Sequence, residues 1–142
     1  MNFKIRRAAK EDCKDISRMI MDLAIYEKMP DQVKISHEEL ERDGFCQNPL
    51  FECLVAEVPD IMVSPVGNGI GTALLSKVAE VRLLGKKKQC VRLQLSVLNW
   101  NTPSRDFYAA KGAQDLTVTE GWHAIRFDGQ NLDNLANEAP KD

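Results

Sequence analysis

A glycine-rich turn between an apolar stretch and an amphipathic stretch is the sequence feature that most constrains the fold of this chain. Gly67, Gly69 and Gly71 alternate with other residues. Residues 61–63 are apolar and predict a short strand, while residues 70–81 carry apolar side chains at helical spacing and predict a helix. Because glycine has no Cβ, such a turn can approach a ligand closely, and the first helical turn offers N–H groups without intrahelical partners. This arrangement suits a phosphate group, and a plain flexible turn would give the same pattern.

Three classes of nucleotide-binding turn have related glycine patterns. A P-loop requires Gly-Lys-Ser/Thr after a four-residue spacer, and no lysine lies between Pro65 and Ser76. A dinucleotide-binding turn requires Gly-x-Gly-x-x-Gly and an acidic residue near the end of the next strand, whereas the next predicted strand here ends towards Asn99 without a carboxylate. The third class is the acetyl-CoA pyrophosphate loop of the GCN5-related N-acetyltransferases, Arg/Gln-x-x-Gly-x-Gly/Ala. Residues 66–71 resemble that loop except at the first residue, which is Val66.

Length and composition predict one ordinary globular domain, spanning residues 1–142. The chain is 44% hydrophobic and 28% charged with a net charge of -2, which gives no reason to expect a nucleic-acid partner. No apolar run reaches the length of a membrane span, and the first residues lack the apolar block of a signal peptide. We therefore expect a cytoplasmic protein with neither a membrane nor a nucleic-acid partner.

The cysteines and histidines give no metal-binding spacing. The four cysteines are isolated and form no Cys-x-x-Cys pair, and the two histidines lie far from them in sequence. His37 follows a capping serine and is expected to be a solvated residue of a first helical turn. We predict no metal site and free thiols instead.

The remaining periodicity predicts strands separated by helices. Alternating or continuous apolar runs predict strands at residues 3–8, 51–58, 91–97 and 122–127. Helical spacing, caps and terminating glycines or prolines predict helices from about Glu11 to Tyr26, from Glu38 to Asp43, from the glycine turn to Leu84 with Gly85 as its cap, and from Ser104 to Lys111. The lysine run 86–88 is expected to be a solvated turn, and a polar tail is expected after the last strand. The fold class is therefore α/β with a mixed sheet flanked by helices.

Five separate stretches resemble the diamine and thialysine acetyltransferase branch of the GCN5-related family, and more its thialysine than its spermidine/spermine members. The resemblance covers nearly all of the chain. They are Arg6 to Ala8 with Asp12, Tyr26 to Val33, Asp43 to Phe45 with Cys53 to Glu57, Gly67 to Thr72, and Trp100 to Ala113 followed by Glu120 to Trp122.

The resemblance implies a site for acetyl-CoA. A strand would lie beside the pantetheine, the glycine turn would hold the pyrophosphate through backbone amides, and the turn before the fourth helix would complete the site. The implied residues are Ile61, Met62, Val63, Gly67, Asn68, Gly69, Ile70, Gly71, Thr72, Asn101, Thr102, Pro103 and Ser104.

The resemblance also implies a catalytic acid and an acceptor pocket. Tyr108 would protonate the departing CoA thiolate, a task that suits a positioned phenol, although packing against the sheet would also explain a tyrosine there. The implied amine-binding residues are Tyr26, Glu27, Gln94, Leu95, Ser96 and Glu120. Carboxylates suit a cationic amine by Coulomb attraction, and Glu27 or Glu120 could equally be solvated surface charges.

The chain departs from the family pattern at two places. Between Pro59 and Asp60 the family has a loop and two central strands, including a glutamate that helps to remove the proton from the amine, and these are absent from the sequence. The sequence is therefore either a natural shortened form or the joined parts of a longer protein. Asp60 or Glu57 could substitute for the absent glutamate. The second departure is Val66, which replaces the arginine of the pyrophosphate loop.

The sequence thus predicts an acetyl-CoA-dependent N-acetyltransferase that acts on a small cationic amine such as thialysine or a polyamine. The alternative is an inactive shortened form that binds CoA or pairs with a full-length partner as a regulator. The family resemblance further implies a homodimer.

Overall fold

The computed structural model describes residues 3–59, 69–84 and 91–140. The chain forms two compact units, Met1–Leu95 and Ser96–Asp142, which are described separately below. The predicted strand 61–63, the cap Gly85 and the lysine run 86–88 lie outside the described residues. The single domain over residues 1–142 stays a prediction.

The described part of the first unit contains one pair of strands. Strand β1 (Lys4–Arg7) runs antiparallel to β2 (Leu54–Glu57), with Lys4 opposite Glu57 and Arg7 opposite Leu54. The ladder continues for one hydrogen bond beyond the strands, because the N–H of Ala8 donates to the carbonyl of Cys53 at 2.8 Å. The strands predicted at 3–8 and 51–58 are thus confirmed in their central parts.

Two helices connect these strands. A 3₁₀ turn (Lys10–Asp12) leads into α1 (Cys13–Tyr26), and after a second 3₁₀ turn (Pro30–Gln32) the chain enters α2 (His37–Gly44). Helix α1 ends where predicted, since Pro30 disfavours helical geometry at the residue before it.

Helix α2 is defined by its two ends. At its start, the Ser36 hydroxyl accepts from the N–H of Glu39 at 3.2 Å, and the Glu39 carboxylate accepts from the N–H of Ser36 at 2.8 Å. This is the predicted capping box. At its end, the ring of Phe51 packs so closely against Gly44 that a Cβ there would overlap it. The helix predicted over residues 38–43 is confirmed and extends by one residue at each end.

The core of the first unit is small. Among the described residues, the buried hydrophobic side chains are Cys13 and Ala24 on α1 and Leu40 on α2. Helix α3 (Ile70–Leu84), which follows the glycine turn as predicted, packs against both strands.

The second unit consists of three short helices and the segments between them. They are α4 (Thr102–Ala110), α5 (Leu116–Glu120) and α6 (Gly129–Asn137). Helix α4 begins two residues before the predicted start. Helices α5 and α6 were not predicted. Helix α6 lies within the predicted polar tail, whose described residues are all exposed.

Two predicted strands are wrong. Residues 91–97 and 122–127 are described but form no strand, although both carry apolar residues that would suit one. Val91 and Ile125 remain 81% and 79% exposed. A strand is stabilised by hydrogen bonds to a neighbouring strand, and within the described residues only β1 and β2 pair. The α/β class is confirmed, with one antiparallel strand pair among the described residues.

Candidate functional site

The start of α3 presents an open backbone. Gly69, immediately before the helix, has a φ of 69°, which lies in the left-handed region that favours glycine. Apart from its chain neighbours and the helix backbone, no heavy atom of the described residues lies within 4 Å of the position that a Cβ would occupy. The N–H of Ala73 donates to the carbonyl of Gly69 at 2.9 Å and closes the first helical turn. The N–H groups of Ile70, Gly71 and Thr72 precede that bond, so they belong to the turn that can donate to a ligand.

The other residues predicted for this part of the site lie outside the described residues. They are Ile61, Met62, Val63, Gly67 and Asn68. Their role as cofactor-binding residues stays a prediction.

The turn before α4 is organised by Asn101. This side chain is 7% exposed, and its Oδ1 accepts from the N–H of Ser104 at 3.3 Å, which makes Asn101 the N-cap of the helix. The backbone of Asn101 also bonds on both sides, to the carbonyl of Leu98 at 3.0 Å and from the N–H of Arg105 at 3.0 Å. Helix α4 starts earlier than predicted because Asn101, rather than a later residue, caps it.

The exposed residues Thr102 and Pro103 form the first turn of α4. Proline is well tolerated there because its missing N–H would have no intrahelical partner. The backbone of this stretch is therefore held in place and its outer face is accessible. Both features suit residues that contact a ligand.

Tyr108 lies on α4, one turn after Arg105. It is half-buried, and its ring meets that of Phe107 edge to face with centroids 5.3 Å apart. Its carbonyl accepts from the N–H groups of Lys111 and Ala113, at 3.0 and 3.1 Å, so the end of the helix is tied to this residue. The backbone beneath the phenol is therefore well anchored.

A cavity of about 450 Å³ lies beside the end of α1. Glu27, the C-cap of α1, lines it, whereas Tyr26 is 55% exposed. The chain turns back along the helix here because Lys28 adopts a φ of 60° and the N–H of Met29 donates to the carbonyl of Ala24 at 2.8 Å. The walls are mainly apolar, with Ile20, Leu23, Ala24, Met29, Val33 and Ile35 beside the polar Glu27, Gln32 and Lys34.

Sequence reasoning missed the second wall of this cavity. The residues from Met29 to Ile35 were not predicted as site residues, although Pro30 signalled that the helix ends and the chain must turn. That signal could have indicated that the following apolar residues return to the face of α1 that carries Glu27.

Glu120 ends α5 and interacts with Trp122. The indole Nε1 donates to a carboxylate oxygen of Glu120, and both side chains are exposed. Carboxylate and ring are therefore presented together at one surface of the second unit.

The predicted residues of segment 91–97 are exposed and lie outside any strand. Gln94 and Leu95 end the first unit, and Ser96 begins the second. The predicted site residues are thus divided between the units. The second unit contains Ser96, Asn101, Thr102, Pro103, Ser104, Tyr108 and Glu120. The other described site residues belong to the first unit.

Glu57 is engaged in an ion pair. Its Oε1 accepts from Nε of Arg6 at 2.6 Å, while the same guanidinium pairs with Asp12. The hydrogen bonds from Arg6, followed by the one from the N–H of Ala9, lower the pKa of Asp12 to about 2. The two carboxylates in turn raise the pKa of Arg6. Asp60, the other substitute considered for the absent glutamate, lies outside the described residues.

Comparison with known proteins identifies the family. The chain is 42% identical to thialysine N-epsilon-acetyltransferase of Bos taurus over 173 residues, covering 97% of this chain and 100% of that protein. It is 41% identical to the protein of that name from Mus musculus, covering 94% and 96% of the two chains. This chain belongs to the thialysine branch of the GCN5-related N-acetyltransferases. The family resemblance and the transferase class predicted from the sequence are confirmed.

A more distant relative of the acetyltransferase is the spermidine/spermine N(1)-acetyltransferase-like protein 1 of Homo sapiens. It is 32% identical over 96% of this chain, which corresponds to 24% of that longer protein. No family model matches the chain.

The fold of the acetyltransferase is shared with an integron cassette protein from the mobile metagenome of V. cholerae. The two structures have a TM-score of 0.66 at 22% identity, covering 97% of this chain and 99% of the other. This likeness concerns the fold alone.

The bovine alignment also bears on the length of the acetyltransferase. It extends over 173 residues, whereas this chain has 142, so the relative contains residues without a counterpart here. That the residues without a counterpart belong between Pro59 and Asp60 stays a prediction.

Two further observations concern the described parts of the acetyltransferase. In residues 3–59, 69–84 and 91–140, no three histidine, cysteine or acidic side chains are grouped so that they could hold a metal ion. In the same ranges, no helix is both long and apolar enough to cross a membrane.

His37 is the first residue of α2, as expected, and lies 3.1 Å from the Glu38 carboxylate.

Proposed function

We propose that this chain transfers the acetyl group of acetyl-CoA to a primary amine of a small cationic substrate, either a thialysine-like amino acid or a polyamine. The observation that carries the proposal is the 42% identity to the full length of a protein named thialysine N-epsilon-acetyltransferase. The polyamine alternative is supported by the relative named for spermidine and spermine.

Acetyl-CoA would be held on its pyrophosphate side by the start of α3. The space that the described residues leave at Gly69 and the N–H groups of the first turn fit a diphosphate, which helix N-termini bind through amides and the helix dipole. We further assign Ile61, Met62, Val63, Gly67 and Asn68 to this side, and Asn101 to Ser104 to the far end of the cofactor. When bound, acetyl-CoA supplies an acyl group already activated as a thioester.

Tyr108 would act as the general acid. A phenol O–H is a hydrogen-bond donor, and it can protonate a thiolate as negative charge develops on sulfur. The rigid backbone of α4 and the ring of Phe107 support the phenol in a fixed position.

We assign Glu27 of the first unit and Glu120 of the second to binding of the acceptor amine. The cavity at Glu27 has apolar walls suited to a methylene chain and a carboxylate suited to an ammonium group. Tyr26, Gln94, Leu95 and Ser96 complete the proposed acceptor set. The ammonium must lose a proton before attack, because its ordinary pKa is about 10.4.

The direct test is release of CoA by the purified chain with acetyl-CoA and, in parallel, thialysine, lysine, spermidine and spermine. We expect turnover with at least one of these amines, and none with thialysine already acetylated on its side-chain nitrogen. The absence of turnover by protein that unfolds cooperatively would contradict the proposal.

The second candidate is a form that binds CoA, or pairs with a full-length relative, without catalysis. It is favoured by the length of the bovine alignment and by segment 91–97, which is exposed and forms no strand among the described residues. Calorimetry with CoA separates the candidates when combined with the turnover assay, because the second predicts binding or pairing without acetyl transfer. A homodimer and a cytoplasmic location belong to the first candidate, and light scattering checks the dimer.

A further inference from the structure

The side chain of Arg105 joins two segments of the second unit. Its Nη1 donates to the carbonyl of Asn99 at 3.0 Å, in the turn before α4. Its Nη2 lies 3.3 Å from Oδ2 of Asp115, the residue that caps α5. One guanidinium on α4 therefore holds both the segment that enters this helix and the start of the next helix.

Asp115 divides its two carboxylate oxygens between two tasks. Oδ2 pairs with Arg105, while Oδ1 accepts from the N–H groups of Thr117 and Val118 at 3.1 and 3.4 Å. The cap of α5 is thereby linked directly to α4. Because α5 has only five residues and contributes no buried side chain, its position depends strongly on such a link.

Helix α4 carries the proposed general acid, and helix α5 carries a residue proposed to bind the acceptor amine. Tyr108, the proposed acid, lies one turn after Arg105 on α4, and Glu120, proposed to bind the amine, is the last residue of α5. A link between α4 and the cap of α5 therefore constrains Glu120 relative to Tyr108.

We propose that Arg105 is a positioning residue that holds α5, and with it Glu120, in place relative to Tyr108 for binding of the acceptor amine. The inference rests on the proposed function. Arg105 touches no reacting atom; it acts through Asp115.

Loss of the Arg105 side chain should weaken binding of the acceptor amine more than binding of acetyl-CoA. The turn before α4 has backbone bonds of its own, from Asn101 to Leu98 and from Thr102 to Trp100, and these do not involve the guanidinium. The bonds from Thr117 and Val118 to Asp115 order the start of α5 but do not reach α4, and the pair with Arg105 supplies that connection.

The test uses two variants of the full chain. Arg105→Met removes the guanidinium and keeps an unbranched side chain, while Asp115→Asn keeps an amide oxygen that can cap α5 but removes the charged partner. Arg42→Met is the matched control, because Arg42 is an exposed arginine on α2 whose partner is the adjacent Asp43, at 2.9 Å. Arg105→Lys tests rescue, since a lysine offers a single charged nitrogen instead of a fork.

We expect both variants to raise the KM for the amine by up to about fivefold, the range associated with loss of an exposed ion pair. The affinity for acetyl-CoA and the kcat should stay unchanged, the double variant should be no worse than either single one, and Arg105→Lys should recover part of the loss. Hydrogen exchange at the amides of α5 should become faster in both variants, without a similar change in α4. Arg42→Met should match the wild-type chain in every measurement.

Three outcomes would overturn the inference. The first is an equal loss in amine KM and in acetyl-CoA affinity, which would make Arg105 a general structural residue. The second is an unchanged amine KM, and the third is unchanged exchange in α5. If the wild-type chain itself transfers no acetyl group, the proposed function is wrong, and so is the role of Arg105 in amine binding. Hydrogen exchange in α5 still decides whether Arg105 holds this helix.

Discussion

Arg6 binds both carboxylate oxygens of Asp12, through Nη1 at 2.7 Å and through Nη2 at 3.0 Å. Its remaining nitrogen, Nε, donates to Glu57 at 2.6 Å. This one side chain therefore connects β1, the 3₁₀ turn before α1 and the end of β2. A fork of this geometry gives directional hydrogen bonds as well as charge attraction.

The ion pair predicts loss of stability in acid. The pKa of Asp12 is lowered from 3.8 to about 2, so its ionised form favours the folded state above about pH 4, and this contribution is lost as the pH falls from 3.8 towards 2. Asp12→Asn should lower the free energy of unfolding at pH 7 and flatten its decline over that interval. Urea unfolding at a series of pH values measures both effects. Asp15→Asn, at an exposed carboxylate on α1, should leave the slope as in the wild-type chain.

Glu57→Gln should not abolish acetyl transfer. Because Arg6 already occupies a carboxylate oxygen of Glu57, this residue is poorly placed to accept the proton of the amine. A general base contributes about a hundredfold to ten-thousandfold, so we expect kcat to fall by much less than that. The pH profile of kcat/KM is the measurement, and a loss of about a hundredfold or more would reinstate Glu57 as the base.

Gly69→Ala should weaken the binding of acetyl-CoA. Gly69 has a φ of 69°, and an alanine in the left-handed region costs about 1–2 kcal/mol while adding a methyl group to the proposed diphosphate site. Gly129→Ala is the matched control, since Gly129 also has a positive φ, of 50°, with open space around it, at the start of α6. Both variants should lose stability in urea, and calorimetry should show weaker binding only for Gly69→Ala. Equal affinities would remove the turn from the cofactor site.

Tyr108→Phe should lower kcat by at least about a hundredfold and leave the affinity for acetyl-CoA unchanged, because it removes the proposed acid and keeps the ring that meets Phe107. The chain contains two tyrosines, so Tyr26→Phe provides the comparison. That variant should alter the KM for the amine more than kcat. Similar kcat values for all three proteins would exclude Tyr108 as the acid.

Sequence reasoning succeeded where a few neighbouring residues decide the structure. The capping box of Ser36 and Glu39 and the end of α1 before Pro30 need no distant partner, so local chemistry predicts them. Helix α4 starts two residues before the predicted position because the Asn101 side chain caps it, accepting from the N–H of Ser104.

The same reasoning failed where distant segments must meet. The alternation in residues 91–97 describes a strand only if a neighbour supplies hydrogen bonds, and the pattern itself cannot show whether that neighbour is present. The cavity wall after Met29 depends on the turn at Lys28, which adopts a φ unusual for a lysine. The ion pair of Arg105 and Asp115 joins two helices across ten residues, so no short sequence motif predicts it.

The fully buried sulfur of Cys13 gives this fold an internal reporter. Burial raises the pKa of that thiol, so an alkylating reagent can reach and modify it only when the first turn of α1 separates from its surroundings. Cys46, which is exposed, reacts without such a separation and calibrates the reagent. The ratio of the labelling rates of Cys13 and Cys46, measured by mass spectrometry, therefore reports how often the first turn of α1 opens under native conditions.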